Sequence, residues 1–473
     1  MKTIKTIIIA SIALFTVTSC FEDLDDNAIA TSEINDFVWK GMNAVYLYKP
    51  EIPDLANNRF ASVEAYATYL NSFETPEILF ESLKYLPQSV DRFSRIFSNY
   101  FDLQNLLQGT TLSNGLEFNL YLVPGSQTEV FGAITLVLNN SVAANSGLQR
   151  GQIFRAVDGT ELTTDNFNSL LSQTSYTLNF ANYDTNGTPE LGDDTVTLTD
   201  ENTSLTKVAY TENPVHKIEI LNAGTATVGY LMYNSFNANF NEALNTAFGQ
   251  FQAANIDELV IDLRYNGGGS VQTAAYLGSM VTGQFTGDIY SKLFYNENLS
   301  ENDRNFLFTS SIENGSAINS LNLSKVYVLT TNRRTASASE LVINSLNPYI
   351  DVVVIGENTV GKTQASVTVY DSPTLFSEDN INPSHTYAMQ PLIANSTNVN
   401  DQLVPPNGLT PDIEITEKSY QLGVLGDSNE PLLAAALADI LGMNRSIPLY
   451  TVPTEPIDAH RLESPLSQDM YID

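Results

Sequence analysis

The spacing of apolar positions changes character three times along this chain. From Ser32, Ile34, Phe37, Val38, Met42 and Val45 recur at steps of three and four, which predicts a helix with one buried stripe and Ser32 as its cap. The runs ASVEAYATYLNSF and VDRFSRIFSNYF extend that helical pattern to about Tyr100, with Trp39 as a packing residue. Between about Leu112 and Leu198 short strands bounded by turn residues take over, and Asp184, Asn186, Asp193 and Asp194 mark a solvated acidic hairpin. From Val208 onward, apolar runs at VGYLMYN (228–234), ELVIDLR, KVYVLTT (325–331) and DVVVIG alternate with helical stretches NEALNTAFGQFQAAN, VQTAAYLGSM and SASELVINSL. Such alternation predicts a layered α/β domain.

Later strands at SVTVYD, TYAMQPLIA and DIEIT extend this domain, and LVPPNGLTPD (403–412) reads as a rigid turn. The stretch 284–324, rich in polar and aromatic residues, reads as an insertion over a cleft. A helix at EPLLAAALADILG ends at Gly442, and the chain beyond Ser446 reads as irregular. The expected organisation is therefore a leader at 1–20, a linker and helical domain at 21–107, a β-rich domain at 108–205, an α/β core with a final helix at 206–445, and a tail at 446–473.

With 473 residues, 43% of them hydrophobic, the chain is long enough for several domains with real cores. Its 54 acidic and 22 basic residues give a formal net charge of -32, which speaks against a nucleic-acid partner because nothing would neutralise phosphates. The acidity suits solubility. The three histidines, His216, His385 and His460, show no metal-ligand spacing, so neither metal nor cofactor is expected.

Lys2, Lys5, an apolar stretch from Ile7 to Val17 and then Val17-Thr18-Ser19-Cys20 make a secretory signal too short to span a bilayer. The V-T-S-C ending resembles a bacterial lipobox, which implies a lipidated Cys20 and a membrane partner reached through that anchor. The implied location is the cell envelope, as an outer-membrane lipoprotein facing the periplasm or the surface. The following FEDLDDN resembles the export tether of surface lipoproteins in Bacteroidetes-like bacteria, and an unstructured linker reads equally well.

The candidate chemistry lies in TASASELVINSLNPYIDVVVIGENTVGK, residues 335–362. A helix, a buried strand and a glycine loop would bring the Ser337 hydroxyl to the Lys362 amine. A serine needs a neighbouring base, and a lysine serves only when neutral, its pKa drawn by burial from about 10.4 towards roughly 7 to 8. The same residues also read as an S-x-x-E capping box (Ser337, Glu340) and an exposed turn. No G-x-S-x-G elbow surrounds Ser337. Upstream, ELVIDLRYNGGGS (258–270) reads as a buried strand whose glycine turn opens a helix, and the backbone amides of such a turn can hold an oxyanion.

Together TASASE, VIGENTVGK and DLRYNGGG resemble the signature of the C-terminal processing peptidases, serine peptidases with a Ser/Lys dyad. The resemblance implies Ser337 as nucleophile, Lys362 as base, and an oxyanion hole from Gly268 or Gly269 with the Ala338 amide. That family also has a catalytic glutamine a few residues past the lysine that helps orient it; the resemblance implies Gln364, two past Lys362, for this role, while Ser366 stands at the position four past it. The run FGAITLVLNNSVAANSGLQRGQIFRAVDGTEL resembles a PDZ domain, with GLEFNLYLV as its peptide-binding edge and Gly115, Leu116 and Phe118 as contacts. The fold implied is a multidomain α/β protein: a small helical N-terminal domain, a PDZ-like domain and a layered, ClpP/crotonase-like peptidase core. The function implied is a serine endopeptidase acting on proteins or peptides recognised near their C-terminus. The alternative is an inactive relative that binds peptides or glycans.

Overall fold

The computed structural model describes residues 31–374, 377–443, 457 and 470–472. Cys20 and the leader, His460 and most of the tail lie outside the described residues. The chain opens with α1 (Thr31–Val45), α2 (Val63–Leu70), α3 (Pro76–Ser82), β1 (Arg95–Phe97) and α4 (Tyr100–Leu107). The expected stripe of α1 is buried. Ser62 caps α2 and Thr75 caps α3, with Pro76 pre-set in the first turn. Trp39 packs against Phe60 and Tyr66, and its indole donates to the Asp54 carbonyl at 2.9 Å.

One helical expectation fails here. In VDRFSRIF the Asp91 carboxylate accepts the amides of Phe93 (3.3 Å) and Ser94 (2.8 Å), a local turn that competes with a helix. The chain then leaves as β1, pairing antiparallel with residues 388–390.

Next come β2 (Thr110–Ser113), β3 (Leu116–Leu122), β4 (Val130–Val137), α5 (Val142–Asn145), β5 (Ile153–Val157), β6 (Thr160–Glu161), α6 (Phe167–Leu171), β7 (Ser175–Asp184), β8 (Thr195–Thr206) and β9 (Val208–Thr211). Strands run in the order β3-β4-β5-β7-β8, with β6 paired to β5, around an apolar core of their own. β3 is an edge strand of this sheet. β2 and β9 form an antiparallel ribbon, Thr110 opposite Thr211 and Ser113 opposite Val208. The sheet domain thus begins and ends on one two-stranded neck.

The core follows with β10 (Val215–Ala223), β11 (Ala226–Tyr233), α7 (Asn241–Ala254), β12 (Glu258–Asp262), β13 (Gly269–Ser270), α8 (Val271–Thr282), β14 (Ile289–Tyr295), β15 (Arg304–Leu307), β16 (Lys325–Thr330), α9 (Ala338–Leu346), β17 (Asp351–Gly356), β18 (Gln364–Ser366), β19 (Val369–Tyr370), β20 (Ala388–Gln390), β21 (Leu392–Thr397), β22 (Ile413–Glu414), α10 (Pro431–Ile440) and β23 (Met470–Tyr471). The central sheet runs β10-β11-β12-β16-β17-β22, antiparallel at its first pair and parallel beyond. Its side chains divide by the two-residue period of a strand. Leu231, Leu259 and Ile261 pack with α7, α8 and α9, while Tyr230, Val260 and Leu329 pack with α10. The first of these cores also takes in Phe37, Val38, Leu79 and Phe80, so the N-terminal helices share the core of the α/β domain.

A second sheet runs β13-β23-β18-β21-β14-β15. This corrects the reading of 284–324 as an insertion over a cleft: β14 and β15 are paired strands, and Tyr290, Leu293, Phe306 and Phe308 are buried. A register shift between Ile289 and Ser291 breaks the two-residue period of β14, so neither its sequence nor the polar residues around it signalled a strand. Met470 and Tyr471, expected to be irregular, form a strand of the same sheet.

Candidate active site

Three loops meet beyond the carboxyl ends of β12, β16 and β17, where parallel α/β sheets place their clefts. The loop after β16 presents Ser337 at φ 65° and ψ -118°, a conformation L-residues other than glycine rarely adopt and one that clusters at functional sites. Neighbouring backbone holds it there. Thr335 Oγ1 donates to the Leu263 carbonyl at 2.9 Å, and Ser339 Oγ donates to the Asn266 carbonyl at 2.9 Å. The Ser337 side chain is fully buried, and its Oγ has no hydrogen-bond partner among the described residues.

The loop after β17 reaches the same place, the Val360 amide donating to the Thr335 carbonyl at 3.0 Å. Gly361 sits at φ 86°, and a Cβ there would stand 2.1 Å from the Pro406 carbonyl, within the turn anticipated at 403–412. Only glycine fits that approach. Lys362 is 1% exposed, its ammonium 4.9 Å from the centre of the Phe93 ring. Arg92 donates to the Val360 carbonyl at 3.2 Å, so the turn that replaced the expected helix covers the lysine loop.

Glu340 ties the two loops together. Its Oε2 accepts the amides of Ser337 (2.7 Å) and Lys362 (2.9 Å); its Oε1 accepts the Gly361 amide (2.7 Å) and the Thr359 hydroxyl. The capping-box arrangement is present: the carboxylate hydrogen-bonds the Ser337 amide, and Ser337 Oγ faces the Glu340 amide without forming a regular hydrogen bond among the described residues. Burial pushes the Glu340 carboxyl above the usual range, and the four donors offset part of that rise.

The glycine loop is pinned from both sides. Asn266 donates to the Tyr233 carbonyl at 2.9 Å and accepts the Gly268 amide at 2.9 Å. That commitment removes Gly268 from the expected oxyanion donors. Gly269, at φ 134°, passes so close to Phe236 that a Cβ would lie 2.3 Å from its carbonyl oxygen. Ala338 opens α9, where backbone amides lack intrahelical acceptors. Below the loop, buried Arg264 binds Asp262, Glu417 and Glu430, with contacts of 2.6 Å to Glu430 and 2.9 Å to Glu417. Arg150, from the sheet domain, also reaches Glu417 at 2.5 Å.

Other expected residues fare differently. Burial pushes the Tyr48 phenol up to about 12 with a further rise from Asp91, and the neighbouring Gln364 side chain offsets part of it. Ser366 Oγ donates to the Met470 carbonyl at 3.0 Å. The Gly115 and Leu116 amides are taken by Ser113 Oγ (2.9 Å) and Asn114 Oδ1 (3.1 Å), which removes them as carboxylate donors, and Phe118 packs edge-on against Phe154. His385 pairs with Asp371 at 3.0 Å, and His216 lies in β10. Neither binds Ser337 Oγ. Sequence reasoning missed Glu340 as a bridge, although its place three residues after Ser337 was the available signal; nothing local pointed to Phe93 or Asn266.

A family model described as peptidase family S41 matches residues 227–415, and one described as the peptidase S41 N-terminal domain matches residues 33–95. The chain belongs to peptidase family S41. The larger match contains all three loops above, and the smaller contains the Arg92–Phe93 turn. A carboxyl-terminal-processing protease of Picosynechococcus sp. is 26% identical over 283 residues, covering 58% of this chain and 60% of that protein. The chloroplastic carboxyl-terminal-processing peptidase 1 of Arabidopsis thaliana is 29% identical over 154 residues, 32% of this chain and 28% of that one. The matches therefore span less than two thirds of either curated relative. An S41-family crystal structure from Bacteroides fragilis superposes with a TM-score of 0.68 at 28% identity, covering 86% of this chain and 97% of that one.

Proposed function

We propose that this S41-family chain is a serine endopeptidase that cuts proteins or peptides through Ser337 and Lys362. The observation that carries the reading is the Glu340 carboxylate, which accepts both the Ser337 and the Lys362 amides and so fixes the hydroxyl-bearing loop against the amine-bearing loop. Among the described residues the buried Ser337 Oγ makes no competing hydrogen bond, which suits a nucleophile awaiting its base. In the reaction, neutral Lys362 takes the Ser337 proton as Oγ bonds to the scissile carbonyl carbon. The Gly269 and Ala338 amides hold the oxyanion. Collapse breaks the C–N bond, the leaving amine takes the proton from Lys362, and water then hydrolyses the acyl-serine ester.

The sheet domain acts as a PDZ-like module, its β3 edge being the strand on which a substrate tail would add. The core is of the layered ClpP/crotonase-like kind, and Cys20 carries a lipid that holds the chain in the envelope. The test is cleavage of an unstructured protein by wild type, Ser337→Ala and Lys362→Ala. Both variants should lose at least ~10³-fold in turnover. Ser337→Ala should also stay as stable as wild type or gain up to about 1 kcal/mol, because it deletes a buried unsatisfied hydroxyl. Inert wild type with measurable peptide affinity would replace the peptidase reading by peptide binding alone.

A further inference from the structure

The described part of the tail touches the protein at two places: the edge strand of the sheet domain, and the gap between the glycine loop and the strand that follows Lys362. At the first, the Ile457 amide donates to the Leu120 carbonyl at 2.7 Å, on edge strand β3. Its side chain packs against the sheet-domain core beside Leu122 and Leu170, and Arg333 donates to the Ile457 carbonyl at 3.4 Å. A main-chain hydrogen bond at a sheet edge is the kind of contact on which an extended ligand adds.

At the second place, β23 lies between β13 and β18, parallel to both, with Met470 opposite Gly269 and Tyr471 opposite both Ser270 and Ser366. β13 belongs to the glycine loop and β18 is the strand that leaves Lys362. Among the described residues no other strand joins them in the sheet order. The gap between the two loops is thus one strand wide, and residues 470–471 fill it. Ser366 Oγ donates to the Met470 carbonyl at 3.0 Å, the Ile472 amide donates to the Ser366 carbonyl at 3.3 Å, and Met470 is 1% exposed in the main core. Tyr471 and Ile472 also wall one side of a cleft of about 640 Å³ whose other walls include Gln108, Asn237, Tyr370 and Arg304.

We propose that this tail is a resident pseudosubstrate: it docks on β3 through Ile457, lies across the cleft through residues 470–472, and must leave before another chain can enter. The inference rests on the peptidase reading for its consequence, though not for the docking itself. It also names the preference of both positions, because the occupant offers an aliphatic side chain at the β3 edge and a long apolar one beside Gly269. Substrates that compete with it are extended peptides with apolar residues at those two anchors.

A tethered segment has an effective concentration of order 1 mM; against a dissociation constant of order 0.1 mM this suppresses turnover about tenfold. The experiment compares the intact chain with a chain ending at Met443, each with and without Ser337→Ala. In the Ser337→Ala background, a fluorescein-labelled peptide of residues 452–473 should bind the shortened chain at least ~10-fold more tightly than the intact one by anisotropy. With Ser337 present, the shortened chain should cleave an unstructured protein about tenfold faster, and added peptide should restore the slower rate.

Should the shortened chain melt early, Ile457→Asp with Ile472→Pro in the full chain replaces it, and the same rise is expected. Equal peptide binding to both forms, or equal cleavage rates, overturns the proposal and leaves the peptidase reading standing. Selective peptide binding with no cleavage by any form keeps the docking and overturns the peptidase reading instead.

Discussion

Replacing Glu340 by glutamine tests whether one carboxylate holds the candidate site together. The side chain accepts four hydrogen bonds, two at each oxygen. Glutamine keeps one acceptor oxygen and turns the other into a donor. The less costly orientation aims the new amide nitrogen at Thr359 and Gly361, because the Thr359 hydroxyl can rotate to accept while Oε1 still serves Ser337 and Lys362. The Gly361 amide then faces another donor, an orphaned buried N–H that costs about 1–3 kcal/mol. The surviving bonds lose their charge assistance, worth about 1 kcal/mol more. A total of about 2–4 kcal/mol should lower Tm by roughly 4–8 °C.

Because Gly361 adjoins Lys362, the lysine loop should shift, and a displacement near 1 Å is worth about 10²-fold in rate. The assay is thermal unfolding together with steady-state cleavage of an unstructured protein, where kcat should fall while KM changes little. A glutamine variant that melts with wild type and turns over within about twofold of it would refute the bridging role.

Two further outcomes follow from the same geometry. Gly361→Ala places a methyl 2.1 Å from the Pro406 carbonyl at φ 86°, so it should cost about 1–3 kcal/mol and more than tenfold in turnover, measured by the same pair of assays. Burial raises the Glu417 carboxyl, yet Arg150 and Arg264 more than reverse this and bring it down to about 2 from 4.5. Its contribution is therefore complete above pH 4.5 and is lost as the pH falls from there to about 2, up to roughly 3 kcal/mol in all. Urea midpoints of wild type should drop across that interval, and those of Glu417→Gln should start lower and drop less steeply.

The alternating strands and helices of the core were readable because each carries its own period, and the S-A-S-E and V-G-K strings are local enough to be read without a partner. What escaped was non-local. Phe93, Ile96 and Phe97 recur at helical steps, but their conformation is decided by the Asp91 turn and by residues 388–390, far away in the chain. Gly268 looked equivalent to Gly269 until the Asn266 side chain claimed its amide. The role of Glu340 was hidden because the helix-capping motif and the tether between loops use the same residue. Met470 and Tyr471 offer only a two-residue strand, too short for any periodic signal.

The β2–β9 ribbon has an engineering consequence. Since Ser113 stands opposite Val208, everything between them could be replaced by a two-residue Asn-Gly turn, closing the ribbon as a simple hairpin without cutting any strand of the core. The sheet domain is therefore exchangeable cargo in covalent terms. What fixes its bearing on the core is a handful of side chains across the seam, Arg150 to Glu417 and Arg334 to Glu117 among them. A graft that kept those pairs while carrying a different edge strand would redirect which chains are delivered to Ser337 and leave the cutting machinery untouched.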